Sequence, residues 1–312
     1  MHRNFLDYVL VSLKGMAMGA ADVVPGVSGG TIAFISGIYE ELIDSISRVN
    51  LNALKILKNE GVTSFWKHIN GNFFLALFSG IGISILSLAK GVKWLLENQP
   101  IGVWSFFFGL MIASILFLAK DVQKWNLGTI LATIFSCIVA YTITTVPPLG
   151  SHSGLIYIFF SGALAVCAMI LPGISGAFIL VLLGSYHTVL GALGQWDLKV
   201  IAAFISGAVV GLLTFSKALK WLFNHYRNTT IAGLTGFVMG SLNKVWPWKE
   251  VLRWGENSHG EPIPVWEKSV LPTTFESING ADPQLLTSVL LALTGFFLLY
   301  GLEKWAGKLK RT

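Results

Sequence analysis

Residues Gly15 to Ile46 read GMAMGAADVVPGVSGGTIAFISGIYEELIDSI, and residues Gly162 to Leu193 repeat this pattern as GALAVCAMILPGISGAFILVLLGSYHTVLGAL. The chain therefore contains an internal repeat whose centre is a Pro-Gly-x-Ser-Gly motif. At one constant offset, the matched positions are Pro25-Gly26-Val27-Ser28-Gly29 with Pro172-Gly173-Ile174-Ser175-Gly176, Gly37 with Gly184, and Tyr39 with Tyr186.

The similarity continues downstream at a slightly shorter offset. Each half has a Ser-Gly pair, two lysines beside a tryptophan and a glycine in an apolar run. The matches are Ser79-Gly80 with Ser206-Gly207, Lys90 with Lys217, Lys93-Trp94-Leu95 with Lys220-Trp221-Leu222, and Gly109 with Gly236. An apolar chain built from two such halves, each interrupted by the motif, is typical of transporters with broken helices at their centre.

Composition places the chain among membrane proteins. Of its 312 residues, 54% are hydrophobic and 12% are charged, which excludes an ordinary soluble domain. The net charge of +6 comes from basic residues scattered at helix ends, which predicts anchored loops and no nucleic-acid partner. Cys137 and Cys167 lie in apolar runs, so neither a disulfide nor a metal site is predicted. Asp7 and Lys14 interrupt the first apolar run, so no cleavable signal peptide is predicted.

Apolar runs of about 20 residues, the length that crosses a bilayer, define the predicted spans. They cover residues 72–96, 101–119 and 126–145 in the first half, and 198–223, 230–246 and 284–303 in the second. The predicted fold class is an all-α integral membrane protein made of two repeats. The first repeat covers residues 1–146 with its hairpin at 4–46, and the second covers 147–312 with its hairpin at 154–193.

Loop charge predicts the orientation of the chain. The loop after the first hairpin, the loop near residues 120–124 and the C-terminal tail are basic, so they and both termini are placed in the cytoplasm. The uncharged loop 146–153 and the acidic outer segment 247–283 are placed outside. These assignments agree only if the two halves are inverted. Re-entrant hairpins and hairpins of two full spans give the same parity, so the sequence leaves that choice open.

The two hairpin tips are the predicted substrate site. Pro25 and Pro172 end the incoming helices, while Gly26 and Gly173 permit positive φ and close backbone approach. A serine then caps each outgoing helix, whose first N–H groups lack internal partners and favour an anion, above all phosphate. The predicted phosphate ligands at the tips are Ser28, Gly29, Gly30, Thr31, Ser175 and Gly176. The alternative is a packing turn in which each serine only caps its own helix.

Asp22, Glu40 and Glu41 are predicted to couple transport to a cation, because ionisable residues inside apolar segments are costly and usually functional. Asp22 lies at the first tip, and its counterpart Met169 is uncharged. A structural carboxylate that caps nearby N–H groups is the alternative for Asp22. Glu40 and Glu41 are expected to close the outgoing helix, where a solvated interfacial position is the alternative. Lys14 is expected to pair with Asp22 or to extend to the interface.

Lysines recur at matched positions of the two halves. Lys90 and Lys93 end a helix on the predicted outer side, and Lys217 and Lys220 end its counterpart on the inner side. The positive-inside bias opposes the outer pair, so all four are predicted to attract anionic headgroups. Simple extension of the side chains to the interface is the alternative.

The segment Gly19-Ala20-Ala21-Asp22-Val23-Val24-Pro25-Gly26-Val27-Ser28-Gly29-Gly30-Thr31, followed by Gly37-Ile38-Tyr39-Glu40, resembles the signature of the bacterial polyprenyl-phosphate transporter family, formerly a domain of unknown function. The resemblance covers essentially the whole chain. It implies a multi-pass protein of the bacterial cytoplasmic membrane that returns undecaprenyl phosphate from the outer to the inner leaflet, for reuse in envelope synthesis. The resemblance implies no site residues, and those above rest on physical argument alone.

This transport has an electrical cost. Moving negative charge inwards opposes an inside-negative potential by about 2.3 kcal/mol per charge per 100 mV. Net uptake is therefore expected to need a co-transported proton or sodium ion, and no other cofactor is predicted. The length of the lipid tail and the oligomeric state do not follow from the sequence.

Two other classes stay open. A secondary transporter of a small soluble anion is served equally well by the same helix ends. A membrane polyprenyl-pyrophosphate phosphatase shares the Pro-Gly-x-Ser motif, but it carries an arginine after the serine, where this chain has Gly29 and Gly176. Without that arginine a phosphoryl-transfer transition state lacks its charge clamp, so an enzyme is not predicted.

Overall fold

The computed structural model of the chain describes residues 4–22, 28–150, 154–256 and 262–309, without the side chains of residues 89, 90, 93, 256, 262, 263 and 302–309. The described residues are mainly helical. The helices are α1 Phe5–Asp22, α2 Gly29–Ile35, α3 Tyr39–Arg48, α4 Leu51–Glu60, α5 Val62–His68, α6 Gly71–Asn98, α7 Pro100–Asp121, α8 Leu127–Thr145, α9 Leu155–Ile170, α10 Gly176–Leu182, α11 Tyr186–Gln195, α12 Leu198–Ser241, α13 Pro272–Asn279 and α14 Leu285–Leu309.

Helices long enough for a bilayer confirm a multi-pass membrane protein. Within the described residues, α6, α7, α8 and α12 contain segments long and apolar enough to cross a membrane. The pair α10 and α11 adds a fifth span if it counts as one, although the two helices are bent by 107°. α9 and residues 285–301 of α14 are apolar but shorter. The chain is therefore an α-helical integral membrane protein, as its composition predicts.

A small sheet is added to the predicted all-α fold. A 3₁₀ turn, Leu242–Val245, leads from α12 towards β1, Lys249–Glu256, which pairs antiparallel with β2, Pro262–Ser269. The indole N–H of Trp246 donates to the carbonyl oxygen of Val270 at 2.8 Å, and that of Trp248 donates to Pro283 at 2.8 Å. These bonds hold the sheet against the ends of α12 and α14. We call this part of the molecule the sheet end.

The helix α12 is divided near its middle. Its 44 residues would extend about 66 Å as a straight helix, whereas the hydrocarbon core of a bilayer is about 30 Å thick. Tyr226 interrupts the helix with φ −134° and ψ 44°. This break falls between the runs 198–223 and 230–246, which the sequence predicts as separate spans.

The segment after each Pro-Gly-x-Ser-Gly motif forms two helices, where the sequence pattern predicts one continuous outgoing helix. α2 and α3 are separated at Gly37, and α10 and α11 at Gly184. These glycines have φ of +71° and +65°, in the left-handed region that favours glycine. As a result, Glu40 and Glu41 lie in the first turn of α3 and not at the end of one continuous outgoing helix.

Glycines allow the long helices to pack backbone against backbone. Lipid supplies no hydrophobic force between helices, so close van der Waals contact at small residues must hold them together. A Cβ at any of four glycines would collide with a carbonyl oxygen of the facing helix. These contacts are Gly80 of α6 with Ser12 of α1, Gly207 of α12 with Phe159 of α9, Gly109 of α7 with Ala292 of α14, and Gly236 of α12 with Thr133 of α8.

Replacing Gly80 by alanine is expected to lower the free energy of unfolding by about 1–3 kcal/mol, because the added methyl group forces α1 and α6 apart. Gly82, on the same helix, is the matched control, since a Cβ there meets no described atom within 4 Å. Gly82→Ala should be neutral or stabilising by up to about 1 kcal/mol. Thermal unfolding in detergent measures both variants, and equal midpoints would contradict the proposed packing.

Candidate functional site

Side-chain oxygens accept hydrogen bonds from the first backbone N–H groups of α2. Ser28 is the N-cap of this helix, and its Oγ accepts a hydrogen bond from the N–H of Gly30 at 3.1 Å. Asp22 is the last residue of α1, and its Oδ1 accepts from the N–H of Gly29 at 2.6 Å. The first N–H groups of α2 are therefore engaged, one of them by a carboxylate. Pro25 and Gly26, the predicted tip, lie outside the described residues.

The two hairpins meet through hydrogen bonds between the halves of the chain. The hydroxyl of Ser28 donates to the carbonyl oxygen of Met169 at 3.1 Å, and the N–H of Gly173 donates to Oγ1 of Thr31 at 2.8 Å. Ser28 and Thr31 are each only 1% exposed. We call this set of contacts the hairpin junction. It brings Ser28 and Thr31, predicted from the first motif, together with Gly173 from the second.

Close backbone approach makes the junction possible. A Cβ on Gly30 would lie 2.7 Å from the carbonyl oxygen of Ile170 and 2.8 Å from that of Met169. Gly173 has φ +102°, which a residue with a side chain rarely adopts. A Cβ there would also collide with the hydroxyl of Ser241 at the end of α12. Both glycines therefore allow close backbone approach, which the motif predicts for Gly173.

The second tip has a cap like the first. Ser175 is the N-cap of α10, and its Oγ accepts from the N–H of Phe178 at 3.2 Å. Pro172 and Gly173 are buried, while Ser175 and Gly176 are half-buried. The two tips differ chemically, because Phe178 aligns with Thr31. The first half therefore supplies a hydroxyl where the second supplies a ring.

The predicted coupling carboxylates have different surroundings. Asp22 is exposed, and its carboxylate accepts the N–H of Gly29 at the start of α2. Glu40 forms an ion pair with Arg227 at 2.5 Å, and both side chains are about half exposed. Glu41 accepts from the side-chain amide of Asn70 at 2.9 Å. Lys14 donates to the carbonyl oxygen of Ser36 at 2.6 Å.

Two of the predicted lysines share one pocket. Lys217 and Lys220 line an open pocket of about 310 Å³, together with Ser47, Asn50, Trp221 and Asn224. Lys220 also contacts Asp44 of α3 at 2.5 Å, and Arg48 pairs with the same carboxylate. The pocket therefore carries exposed positive charge beside α3. The side chains of Lys90 and Lys93 lie outside the described part of the chain.

The sheet end contains a further cluster of charged side chains, which the sequence did not predict as part of the site. Lys244 and Lys249 both approach Oε2 of Glu267, at 3.2 Å and 3.6 Å. We call these two lysines the sheet-end lysine pair. Burial lowers the pKa of Lys249 to about 8. Burial raises the pKa of Glu267, but the two lysines outweigh it and hold that pKa below its usual range. The repeat gives no signal for this cluster, because it lies in a segment specific to the second half.

Comparison with known proteins gives consistent results. A family model described as undecaprenyl phosphate translocase-like matches residues 18–263. A protein from Vibrio cholerae named polyprenyl-phosphate transporter is 48% identical over 303 residues, which cover 97% of this chain and 98% of that protein. A protein of the same name from Staphylococcus aureus is 33% identical over 255 residues, covering 75% of this chain and 85% of that protein. No solved structure matches the chain.

Thr31→Val is expected to destabilise the hairpin junction by about 1–3 kcal/mol, because it leaves the buried N–H of Gly173 without its acceptor. Thr31→Ser is the matched control, since it keeps the hydroxyl and removes only a methyl group. Thermal unfolding of the purified variants compares the two, together with hydrogen exchange at Gly173. If the valine variant exchanged and unfolded like the serine variant, the Thr31 hydroxyl would not hold the two hairpins together.

Proposed function

Because the chain belongs to the undecaprenyl phosphate translocase-like family, we propose that it transports polyprenyl phosphate across a membrane. This proposal rests on one observation. Over 97% of its length, the chain is 48% identical to a protein named polyprenyl-phosphate transporter. The family description and both relatives indicate a transporter and not an enzyme. The phosphatase alternative is therefore set aside.

The hairpin junction is the proposed crossing point for the phosphate headgroup. The substrate carries an anionic phosphate on a long apolar tail, so the headgroup needs a polar path while the tail remains in lipid. Hydroxyl and backbone N–H groups of Ser28, Thr31 and Gly173 supply buried polar atoms where the two hairpins meet. Ser175 and Gly176 adjoin them, and their partial exposure suits contact with a substrate.

The architecture that we propose is a pair of inverted repeats with re-entrant hairpins. Helix contacts that recur at matched positions support it, since Gly80 meets Ser12 and its counterpart Gly207 meets Phe159. The sharp bend between α10 and α11 supports a hairpin that returns to its side of entry. Residues 1–146 and 147–312 would then form two halves that open the junction alternately to each side.

The direction that we propose is from the outer to the inner leaflet of the bacterial cytoplasmic membrane, which would recycle the carrier lipid for envelope synthesis. Both termini would then be cytoplasmic, and the sheet end would face outwards. The pocket with Lys217 and Lys220 would receive the phosphate on the cytoplasmic side. Its positive charge supports this role, because lysine binds phosphate as a point charge.

Asp22 is the proposed coupling site. Its carboxylate binds the N–H of Gly29, where a helix start favours negative charge. A phosphate that approached α2 would compete with this carboxylate, so protonation or cation binding at Asp22 would relieve their repulsion. Glu40 is already paired with Arg227, and Glu41 accepts from Asn70. These contacts make both glutamates weaker candidates than Asp22.

Asp22→Asn is expected to abolish the dependence of lipid movement on a cation gradient, because asparagine keeps a hydrogen-bond acceptor but neither titrates nor carries charge. The assay uses the full-length protein in proteoliposomes with polyprenyl phosphate, with and without proton or sodium gradients. Asp121→Asn is the matched control, since Asp121 is an exposed carboxylate at the end of α7.

Two results would contradict the proposal at different levels. Unchanged gradient dependence in Asp22→Asn would remove Asp22 from the coupling mechanism and leave lipid transport in place. Movement of inorganic phosphate without movement of polyprenyl phosphate would favour the small-anion transporter instead.

A further inference from the structure

The sheet-end lysine pair contains more positive than negative charge. Glu267 is the one carboxylate that pairs with Lys244 and Lys249 among the described residues. The three side chains therefore carry a net charge of +1 when both lysines are protonated. The exposed fraction is 8% for the side chain of Lys249 and 18% for those of Lys244 and Glu267.

Buried charge without a full set of partners is costly. The surrounding contacts reduce this cost only in part. The ammonium of Lys249 donates to the carbonyl oxygen of Lys244 at 2.8 Å and lies 4.1 Å from the ring centre of Trp104. The ammonium of Lys244 lies 4.7 Å from the ring centre of Phe178. Aromatic faces attract cations but carry no net charge, so the charges of the described residues in this cluster do not balance.

The cluster lies directly beside the second hairpin. The ammonium of Lys244 faces the ring of Phe178, a residue of α10. The backbone N–H of Phe178 donates to Oγ of Ser175, the N-cap of the same helix. Ser241, which packs against Gly173 at the tip, precedes Lys244 by three residues, one turn of the 3₁₀ helix. The ammonium of Lys244 therefore lies beside α10 of the second hairpin, whose tip residue Gly173 belongs to the hairpin junction.

We propose that the sheet-end lysine pair binds a phosphate monoester and is the point where the lipid headgroup enters the protein from the sheet end. This inference rests on the proposed function and adds a substrate site to it. Glu267 holds the two ammonium groups in place and limits their excess charge. A bound phosphate adds negative charge and contacts both lysines from the side of Phe178.

The charge of Lys249 depends on what lies beside its ammonium group. Burial favours the neutral amine, and the nearby Lys244 acts in the same direction, while Glu267 opposes both. A bound phosphate would favour the charged form of Lys249, so binding and protonation at this site are linked.

A purely structural role is the alternative, in which Glu267 only fastens the sheet to the end of α12. The two roles differ in their response to loss of the Glu267 charge. A structural ion pair would lose stability and gain nothing when the carboxylate is removed. A phosphate site would bind phosphate more tightly, because its net charge rises and a repelling carboxylate disappears.

The test measures binding of farnesyl phosphate, inorganic phosphate and farnesol to the full-length protein in nanodiscs by titration calorimetry. Lys244→Met and Lys249→Met should each raise the Kd of farnesyl phosphate about tenfold or more, since each removes a charge-assisted hydrogen bond. Glu267→Gln should lower that Kd. Lys268→Met is the matched control, because Lys268 is an exposed neighbour on the same strand, and its Kd should equal that of the wild type.

The outcomes separate this inference from the proposed function. If the wild type binds and transports the lipid but both lysine variants bind like the wild type, the sheet-end site is overturned and the transport function stands. If Glu267→Gln weakens binding in a protein that remains folded, the structural role replaces the site. Wild-type affinity for farnesyl phosphate no greater than for farnesol would overturn both proposals. Equal affinity for inorganic phosphate would assign the site to free phosphate and overturn entry of a lipid headgroup there.

Discussion

A helix that breaks inside a membrane leaves N–H and C=O groups that lipid cannot satisfy, and the fold is organised around this requirement. The start of α2 is satisfied by Ser28 and Asp22, and the tip of the second hairpin by Thr31. Because part of this bonding crosses between the halves, neither hairpin is complete by itself. The same buried hydroxyl and N–H groups could also bind an anionic headgroup that crosses between the hairpins.

Local chemistry made much of this arrangement predictable. Proline ends a helix and glycine permits close approach wherever they occur, so the duplicated motif predicted the second tip and the capped start of α2 without any tertiary information. Apolar run length located the long helices and the break near Tyr226. The divisions at Gly37 and Gly184 were missed, although the two glycines align between the halves. The β1–β2 sheet was missed because its strands lie in the outer segment, away from the apolar runs and the repeat on which the prediction depended.

Contacts between residues that are far apart in the chain could not be predicted from the sequence. Nothing local to Thr31 indicates that its partner is Gly173, since the approach depends on how the two hairpins pack. The repeat also suggests symmetry that the site does not have. Thr31 aligns with Phe178, and Asp22 aligns with Met169, so the first half supplies most of the polar groups. Asp44, which contacts Lys220, aligns with Gly191, and Glu267, which contacts Lys249, lies outside the matched positions of the repeat.

Passage of the phosphate headgroup between the two hairpins is tested most directly by photo-cross-linking in the membrane. A photoreactive amino acid at Ser175, beside the junction, is compared with one at Leu86, which is 87% exposed on α6. The account predicts capture of polyprenyl phosphate at Ser175 that excess unlabelled lipid phosphate abolishes, with only non-competed lipid labelling at Leu86. Competed labelling at Leu86 with none at Ser175 would contradict it, because the headgroup would then cross along the outside of the protein.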